Sequence, residues 1–406
     1  MNKKMKLACL LGCIVALATG APSKDVVKFL SAEYSTATGP YWKEVEAAFE
    51  QANPDIDLQV EVSYWKGLHD KITTLIGAKN QPDLAIIGTS WLPEYVKEGV
   101  AQQIDDRLTS SFRDRFVQNL LQGAAMNGRT YGLPVATSAR ALYYNKQLLE
   151  QAGLQPPTNW DELKAVAKKV TKRPKVYGLA MPIHQDDQAD TFDYFLWAAG
   201  GDWFDAQGNV VLNSPESVEA LQFMVDLYKE GLTNPEPWTN NRDEQHKLFF
   251  NGRAAMIQTG NFMIPSLEKN APNLQYGVTA IPKKRKPGTL AVTDTLVFFN
   301  RDGQNREAVW KFIDFAYQRK WREEFMKRES MLPELKELAS QLESDPKLGA
   351  FVKLLPDAKF QPNHESFMPI SQRLVKAIQL ALLGQKPAKQ ALDEAVEDIN
   401  KNILKK

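Results

Sequence analysis

Between Val26 and Ile87 the chain alternates two hydrophobic periods, and that alternation limits its fold more than any other feature. Val26–Leu30 (VVKFL) is a short apolar run suited to a buried strand. After Gly39 and Pro40, the residues Trp42, Val45, Ala48, Phe49 and Ala52 recur at helical spacing. Asn53-Pro54-Asp55 stops that helix. Ile56, Leu58, Val60 and Val62 then alternate as in a half-buried strand. An amphipathic segment covers residues 68–78, and Leu84–Ile87 is a further buried run. Strand, helix, strand, helix, strand in that order gives a mostly parallel sheet flanked by helices.

The same grammar returns downstream. Arg140–Asn145 and Val176–Met181 read as strands. Thr158, with Asp161 three residues on, starts a helix that runs to Val170. Ser214 caps another with Pro215 in first position; Val218, Leu221, Val225 and Tyr228 form its stripe and Gly231 ends it. Val309, Phe312, Ile313 and Ala316 mark one more helix, and the last opens at Pro387 and carries Leu392, Val396, Ile399 and Ile403. The 406 residues exceed the ~250–300 at which a single core stops growing, so two α/β lobes are expected.

Residues 1–20 have a different character. Lys3, Lys4 and Lys6 precede an apolar stretch, Leu7–Ala18, too short to span a bilayer, and small residues follow it. This is the pattern of a secretory signal, cleaved near Gly20 or Ala21. Leu10-Leu11-Gly12-Cys13 also resembles a lipoprotein processing box, which is the alternative. Both cysteines, Cys9 and Cys13, lie in this leader. The mature chain therefore has no thiol for catalysis, iron–sulfur clusters or cysteine zinc sites, and its core must hold it together without disulfides.

The formal net charge is +1, from 50 Lys+Arg against 49 Asp+Glu, which argues against a nucleic-acid binder. His69, His184, His246 and His364 show no metal-ligand spacing, and no nucleophile-elbow or phosphate-loop motif occurs. No metal or cofactor is expected. Adjacent tyrosines can bind ferric iron in exported binding proteins. Without a histidine pattern, Tyr143-Tyr144 reads as a strand with one ring in the core and one toward a cleft. Lys283–Lys286, before Pro287-Gly288, reads as a solvated loop.

Aromatic residues beside polar ones suit sugars, because a flat ring covers the apolar face of a pyranose while polar neighbours take its hydroxyls. Trp65, Trp91, Trp197, Trp203 and Trp238 stand beside turn or polar residues, with core packing the alternative for each. On a helix, Asp186, Asp190 and Asp193 share a face, with Trp197 one turn on. Carboxylates beside a ring suit vicinal hydroxyls or a cation; a solvated acidic helix start is the alternative.

Six stretches together resemble the family 1 extracellular solute-binding proteins, the sugar-binding subunits of bacterial ABC importers. They are FEQANPDIDLQVEV, QPDLAIIGTSWLPEYVKEGVAQQID, YGLPVATSARALYYNKQLLEQAGL, PPTNWDELKAVAKKV, NGRAAMIQTGNFM and YGVTAIP, in family order over most of residues 25–400. The resemblance implies an α/β two-lobed periplasmic-binding-protein fold joined by a hinge, with the ligand in the cleft. It places one lobe at 21–136 plus 291–340 and the other at 137–290 plus 341–406. Crossings fall near Pro134–Thr137, near Leu290–Asp294 and near residue 340.

The same resemblance points to Glu33 and Tyr34 after the first strand, Ser90 and Trp91 before the LPEYVKEG helix, and Ser138 and Arg140 in the YYNK stretch. It adds Asp190 and Asp193 before AAGGDWF. Members often stack a tryptophan just after the MIQTG glycine; here Asn261 and Phe262 follow Gly260, so Phe262 offers less area and Asn261 a hydrogen bond. Asp294 stands where members commonly have glycine, either to bind a hydroxyl or to cap a turn. Trp65 completes the set. The implied protein is a periplasmic monomer that passes a neutral mono-, di- or short oligosaccharide to membrane permease subunits. Two rivals accompany this reading: a binder of a polyamine or phosphorylated polyol, and a glycosidase using Glu33 with Asp190.

Overall fold

The computed structural model describes residues 24–405 except 66, 127, 186–188 and 240. The leader with its two cysteines, and Asp186 of the acidic stretch, lie outside the described residues. Ten strands are described: β1 (Asp25–Glu33), β2 (Ile56–Tyr64), β3 (Leu84–Gly88), β4 (Ala125–Met126), β5 (Arg129–Thr130), β6 (Gly132–Asn145), β7 (Tyr177–Ala180), β8 (Ala254–Gly260), β9 (Tyr276–Thr279) and β10 (Ala291–Phe298). The main sheet runs β2-β1-β3-β10-β6-β8-β7, and β9 also pairs with β6. β1 is parallel to β2 and to β3, as the alternating pattern requires.

The architecture turns on β6. At 14 residues and ~3.3 Å per residue, it is long enough to serve two lobes. Residues up to Ala139 pair with β10, whereas Arg140–Asn145 pair with β8 and β9. The strand begins at Gly132, not at Arg140 as the sequence suggests, because Pro134 does not break it. Proline lacks a donor, and Pro134 sits where the β6–β10 register shifts between Asp294 and Thr295. Its carbonyl accepts the Tyr317 hydroxyl at 2.9 Å. A third segment completes the junction: the Leu332 N–H donates to the Thr137 carbonyl at 2.8 Å.

Three hydrophobic clusters result. One packs β1–β3 against helices Thr38–Ala52 and Arg306–Ala316, with Phe29 edge-on to Trp42 at 4.7 Å. A second holds helices Trp160–Val170, Asp190–Ala199, Pro215–Lys229, Phe367–Leu382 and Ala388–Asp398. A third lies on the other face of β6 and β8, where Tyr143 and Ile257 meet Phe351, Leu332 and Leu120.

Some local expectations change. The helix read as starting at Thr158 is capped one residue later by Asn159, whose side chain accepts the Glu162 N–H at 3.0 Å. Thr158 bonds the Glu162 carboxylate instead. Tyr143 enters the core and donates to the Gly260 carbonyl, but Tyr144 lies over Gly277 of β9 rather than toward the cleft. The 283–286 loop is not merely solvated. The Arg285 N–H and guanidinium bond the Ala198 and Ala199 carbonyls, satisfying the exposed end of a helix. Trp197 and Trp203 are core residues, 1% and 0% exposed.

Candidate functional site

Parallel α/β sheets bind ligands beyond the carboxyl ends of their strands. Here β3 ends at Gly88, which with Thr89, Ser90 and Trp91 forms one wall of a 540 Å³ cavity. Its floor comes from the two shared strands, through Arg140 of β6 and Ala291–Asp294 of β10. Asp190, Arg242 and the segment Phe360–Asn363 form the opposite wall. Gln122 and Gly123, from helix Gln118–Gly123, close one side.

Of the sequence candidates, Ser90, Trp91, Arg140, Asp190 and Asp294 line this cavity. Tyr34 stands behind Asp294 and donates its hydroxyl to Oδ2 at 2.8 Å. Trp65 meets Tyr34 and Trp91 edge-on, with ring centroids 5.6 and 5.8 Å apart. Ser138 accepts from Arg140 Nη1 at 2.9 Å and so orients the guanidinium.

Tyr34, Trp65 and Ser138 thus stand behind the lining, and the remaining four candidates also lie off it. Glu33 is the last residue of β1, paired with Tyr64 across the strand edge. Asp193 is fully buried; it accepts from Trp203 Nε1 at 2.7 Å and from Gln361 Nε2 at 2.8 Å. Asn261 is also fully buried. Its Oδ1 accepts the Ala139 N–H at 3.1 Å and its Nδ2 donates to the Ser330 carbonyl at 2.8 Å, so its amide ties β6 to the segment that follows helix Arg319–Glu329. Phe262 borders a separate groove with His246. Its ring lies under the guanidiniums of Arg140 and Arg242, each 5.0 Å from the centroid. Only glycine at 260 permits that pose, since a Cβ there would fall 2.2 Å from the Phe262 ring.

The acidic helix start is not solvated. Asp190 is 6% exposed and its carboxylate is held on several sides. Arg242 Nη1 lies at 2.9 Å, Arg140 Nη2 at 3.5 Å, and Gln361 Nε2 donates at 3.1 Å. Burying a carboxylate demands such pairing. Arg140 is itself 4% exposed, and its Nε has no hydrogen-bond partner among the described residues. The floor thus carries the Arg140 guanidinium, with one N–H each spent on Ser138 and Asp190, beside the Asp294 carboxyl.

Burial pushes the Asp294 carboxyl from 3.8 up to about 7, against the opposing pull of the Tyr34 hydroxyl and the Arg140 charge. Burial, then the Asp294 charge, holds the Tyr34 phenol well above its usual value. Asp193 is raised by burial, with the Asp190 charge adding to it against the Gln361 hydrogen bond. Among the described residues no group of three His, Cys, Asp or Glu could hold a metal ion.

Sequence reading missed Arg242, Gln361, Phe360, Gln122 and Asn363. The signal for Arg242 was present: Asn241 and Glu244 form a capping box that fixes it in the first turn of helix Arg242–Phe250. The segment 360–363 pairs an aromatic with an amide and a proline, a turn composition without periodicity.

Comparison with known proteins fits this geometry. Residues 32–323 match the model of the bacterial extracellular solute-binding proteins. A Brucella abortus protein, named only as a binding protein, is 38% identical over the whole of this chain and 99% of its own length. The maltotriose-binding protein of Pyrococcus abyssi is 26% identical, over 89% of this chain and 76% of that one. Among solved structures, a solute-binding protein of an ABC transporter from Thermotoga lettingae, bound with alpha-D-tagatose, superposes with a TM-score of 0.78. It is 25% identical, over 93% of this chain and 99% of that one. A cavity floored by strands common to two α/β lobes, and a family match over most of the described residues, lead to one assignment: this chain belongs to the bacterial extracellular solute-binding protein family.

Proposed function

We propose that this protein captures a neutral sugar of one to a few rings by closing its lobes on it, and presents it to the permease of an ABC transporter. The observation that carries the reading is the lining of the 540 Å³ cavity. Two aromatic rings, Trp91 and Phe360, stand beside a donor, Arg140, and an acceptor, Asp294. Hydroxyls donate and accept at once, so a polyol satisfies both floor groups, whereas a cation satisfies only the acceptor. Asp190 is already occupied by Arg140, Arg242 and Gln361, which argues against a polyamine. Glu33 lies off the cavity lining, which removes the geometric basis for a Glu33–Asp190 glycosidase. No bond is made or broken in this scheme.

The relatives' names support the sugar class, since one binds maltotriose and one structure holds tagatose. We place one lobe at 21–136 plus 291–340 and the other at 137–290 plus 341–406, rotating about β6, β10 and the third crossing. Ligand contacts on both lobes favour the closed state by the difference in their affinities for the two states. A micromolar ligand supplies about −8 kcal/mol, within reach of stacked rings and several hydrogen bonds. Docking on permease subunits, residence in the periplasm after leader removal, and a monomeric state complete the proposal.

A thermal-shift screen of the mature protein against mono-, di- and trisaccharides tests it, with small-angle scattering on any hit. A sugar that raises the melting temperature, contracts the particle and is recovered unchanged after long incubation is expected. Stabilisation only by polyamines or sugar phosphates, lost at high salt, would overturn the neutral-sugar reading.

A further inference from the structure

Among the described residues, Trp91 and Phe360 are the aromatics in the cavity lining, and the setting of Trp91 shows what aims it. It ends the 3₁₀ turn Thr89–Trp91 and is half-buried. One neighbour is Trp65, edge-on at 5.8 Å and 73°. Another is His69, edge-on at 5.0 Å and 77°. His69 is the second residue of helix Leu68–Gly77 and is half-buried. It is fixed from elsewhere: Nε2 lies 2.9 Å from Glu94 Oε2, and its ring stacks on Tyr95 at 6.1 Å and 25°. Glu94 and Tyr95 both belong to helix Leu92–Lys97, which starts directly after Trp91. The imidazole is therefore a wedge, pinned at its far edge and abutting the indole at its near one.

We propose that His69 is a positioning residue, which holds the Trp91 indole in the pose that meets the ligand without touching the ligand itself. This rests on the sugar-capture reading for its purpose, but not for its geometry. A side chain that faces solvent on one edge gains affinity when its neighbours remove its other rotamers before binding. Trp65 alone leaves one edge of the indole open. His69 closes it, and the Glu94 contact supplies the direction that a ring stack alone would leave loose.

The test uses the full mature chain labelled with 5-fluorotryptophan, with Trp91→Phe assigning the Trp91 fluorine resonance. In the empty protein, His69→Ala should shift and broaden that resonance, and to a lesser degree that of its neighbour Trp65, while the remaining tryptophans stay in place. His69→Phe, which keeps a ring in the slot, should largely restore it. Glu94→Gln should give an intermediate broadening. With maltotriose as the probe ligand, His69→Ala should weaken binding about five- to tenfold, and His69→Phe should recover most of the loss. The melting temperature of the empty protein should barely move. A Trp91 resonance indifferent to His69→Ala, or a His69→Phe variant as disturbed as the alanine, would overturn the assignment. Failure of maltotriose to bind wild type bears on the sugar reading alone, because the fluorine readout needs no ligand.

Discussion

The hydroxyl of Tyr34 donates to Asp294 at 2.8 Å across a sequence separation of 260. The two residues come from different layers of the site. Tyr34 follows β1 at the sheet end, whereas Asp294 lies within β10, next to the strand both lobes share. The bond leaves one Asp294 oxygen for the cavity. It also links the floor to a run of rings through Tyr34, Trp65, Trp91 and His69.

Asp294 gives a pH prediction with a definite sign. Its folded value of about 7 lies above its ordinary 3.8, so folding favours its protonated form. Stability then falls as pH rises from about 4 to about 7, and the penalty persists above that. Asp294→Asn carries no such penalty. Urea midpoints should show the variant gaining on wild type between pH 4.5 and pH 8. A constant difference across that range would mean that Asp294 is charged throughout.

The ring contacts are checked by truncation. Trp91→Ala and Phe360→Ala should each weaken sugar binding by about 10- to 100-fold, the range of a truncated aromatic anchor. The empty proteins should melt within about 4 °C of wild type, since both rings are only half-buried. Titration calorimetry beside a thermal melt separates the two effects. Collapse of the fold in either variant would assign that ring to the core.

The junction contains a buried ion pair. Arg322 and Glu334 are 1% and 0% exposed; the guanidinium bonds Glu334 and the Val135 carbonyl and lies over Phe325 at 4.7 Å. Glu334→Ala strands a buried cation, and the expected cost is about 3–5 kcal/mol in chemical denaturation. A loss below about 1 kcal/mol, the level of an exposed pair, would contradict this reading.

Asn261 separates a strut from a ligand contact. Asn261→Ala leaves the Ala139 N–H and the Ser330 carbonyl without these partners, at a cost of about 1–3 kcal/mol. Denaturation should register that loss, while sugar affinity at fixed folded concentration changes little. A large fall in affinity with unchanged stability would restore the ligand-contact role.

Much of the fold was legible because it is local. The βαβ series is written in two periods, and each helix stop or cap is set by neighbouring residues, as at Asn53-Pro54 and Ser214. The start of β6 moved because one residue acted against its usual tendency. Pro134 sits inside β6 because a register shift removes the need for its missing donor. Roles near the site were less legible. Tyr144, Asp193, Asn261 and Phe262 have the chemistry of ligand contacts, but which face each presents depends on what packs against it.

The sequence by itself determined the α/β build and the family, because periodicity and motif order are properties of the chain. Only the tertiary structure decided which polar groups reach the cavity and which spend their hydrogen bonds inside the protein. Asp190 and Arg242, 52 positions apart, show no relation to each other in one dimension. In three they satisfy each other, since a buried charge must find its partner wherever the fold brings one.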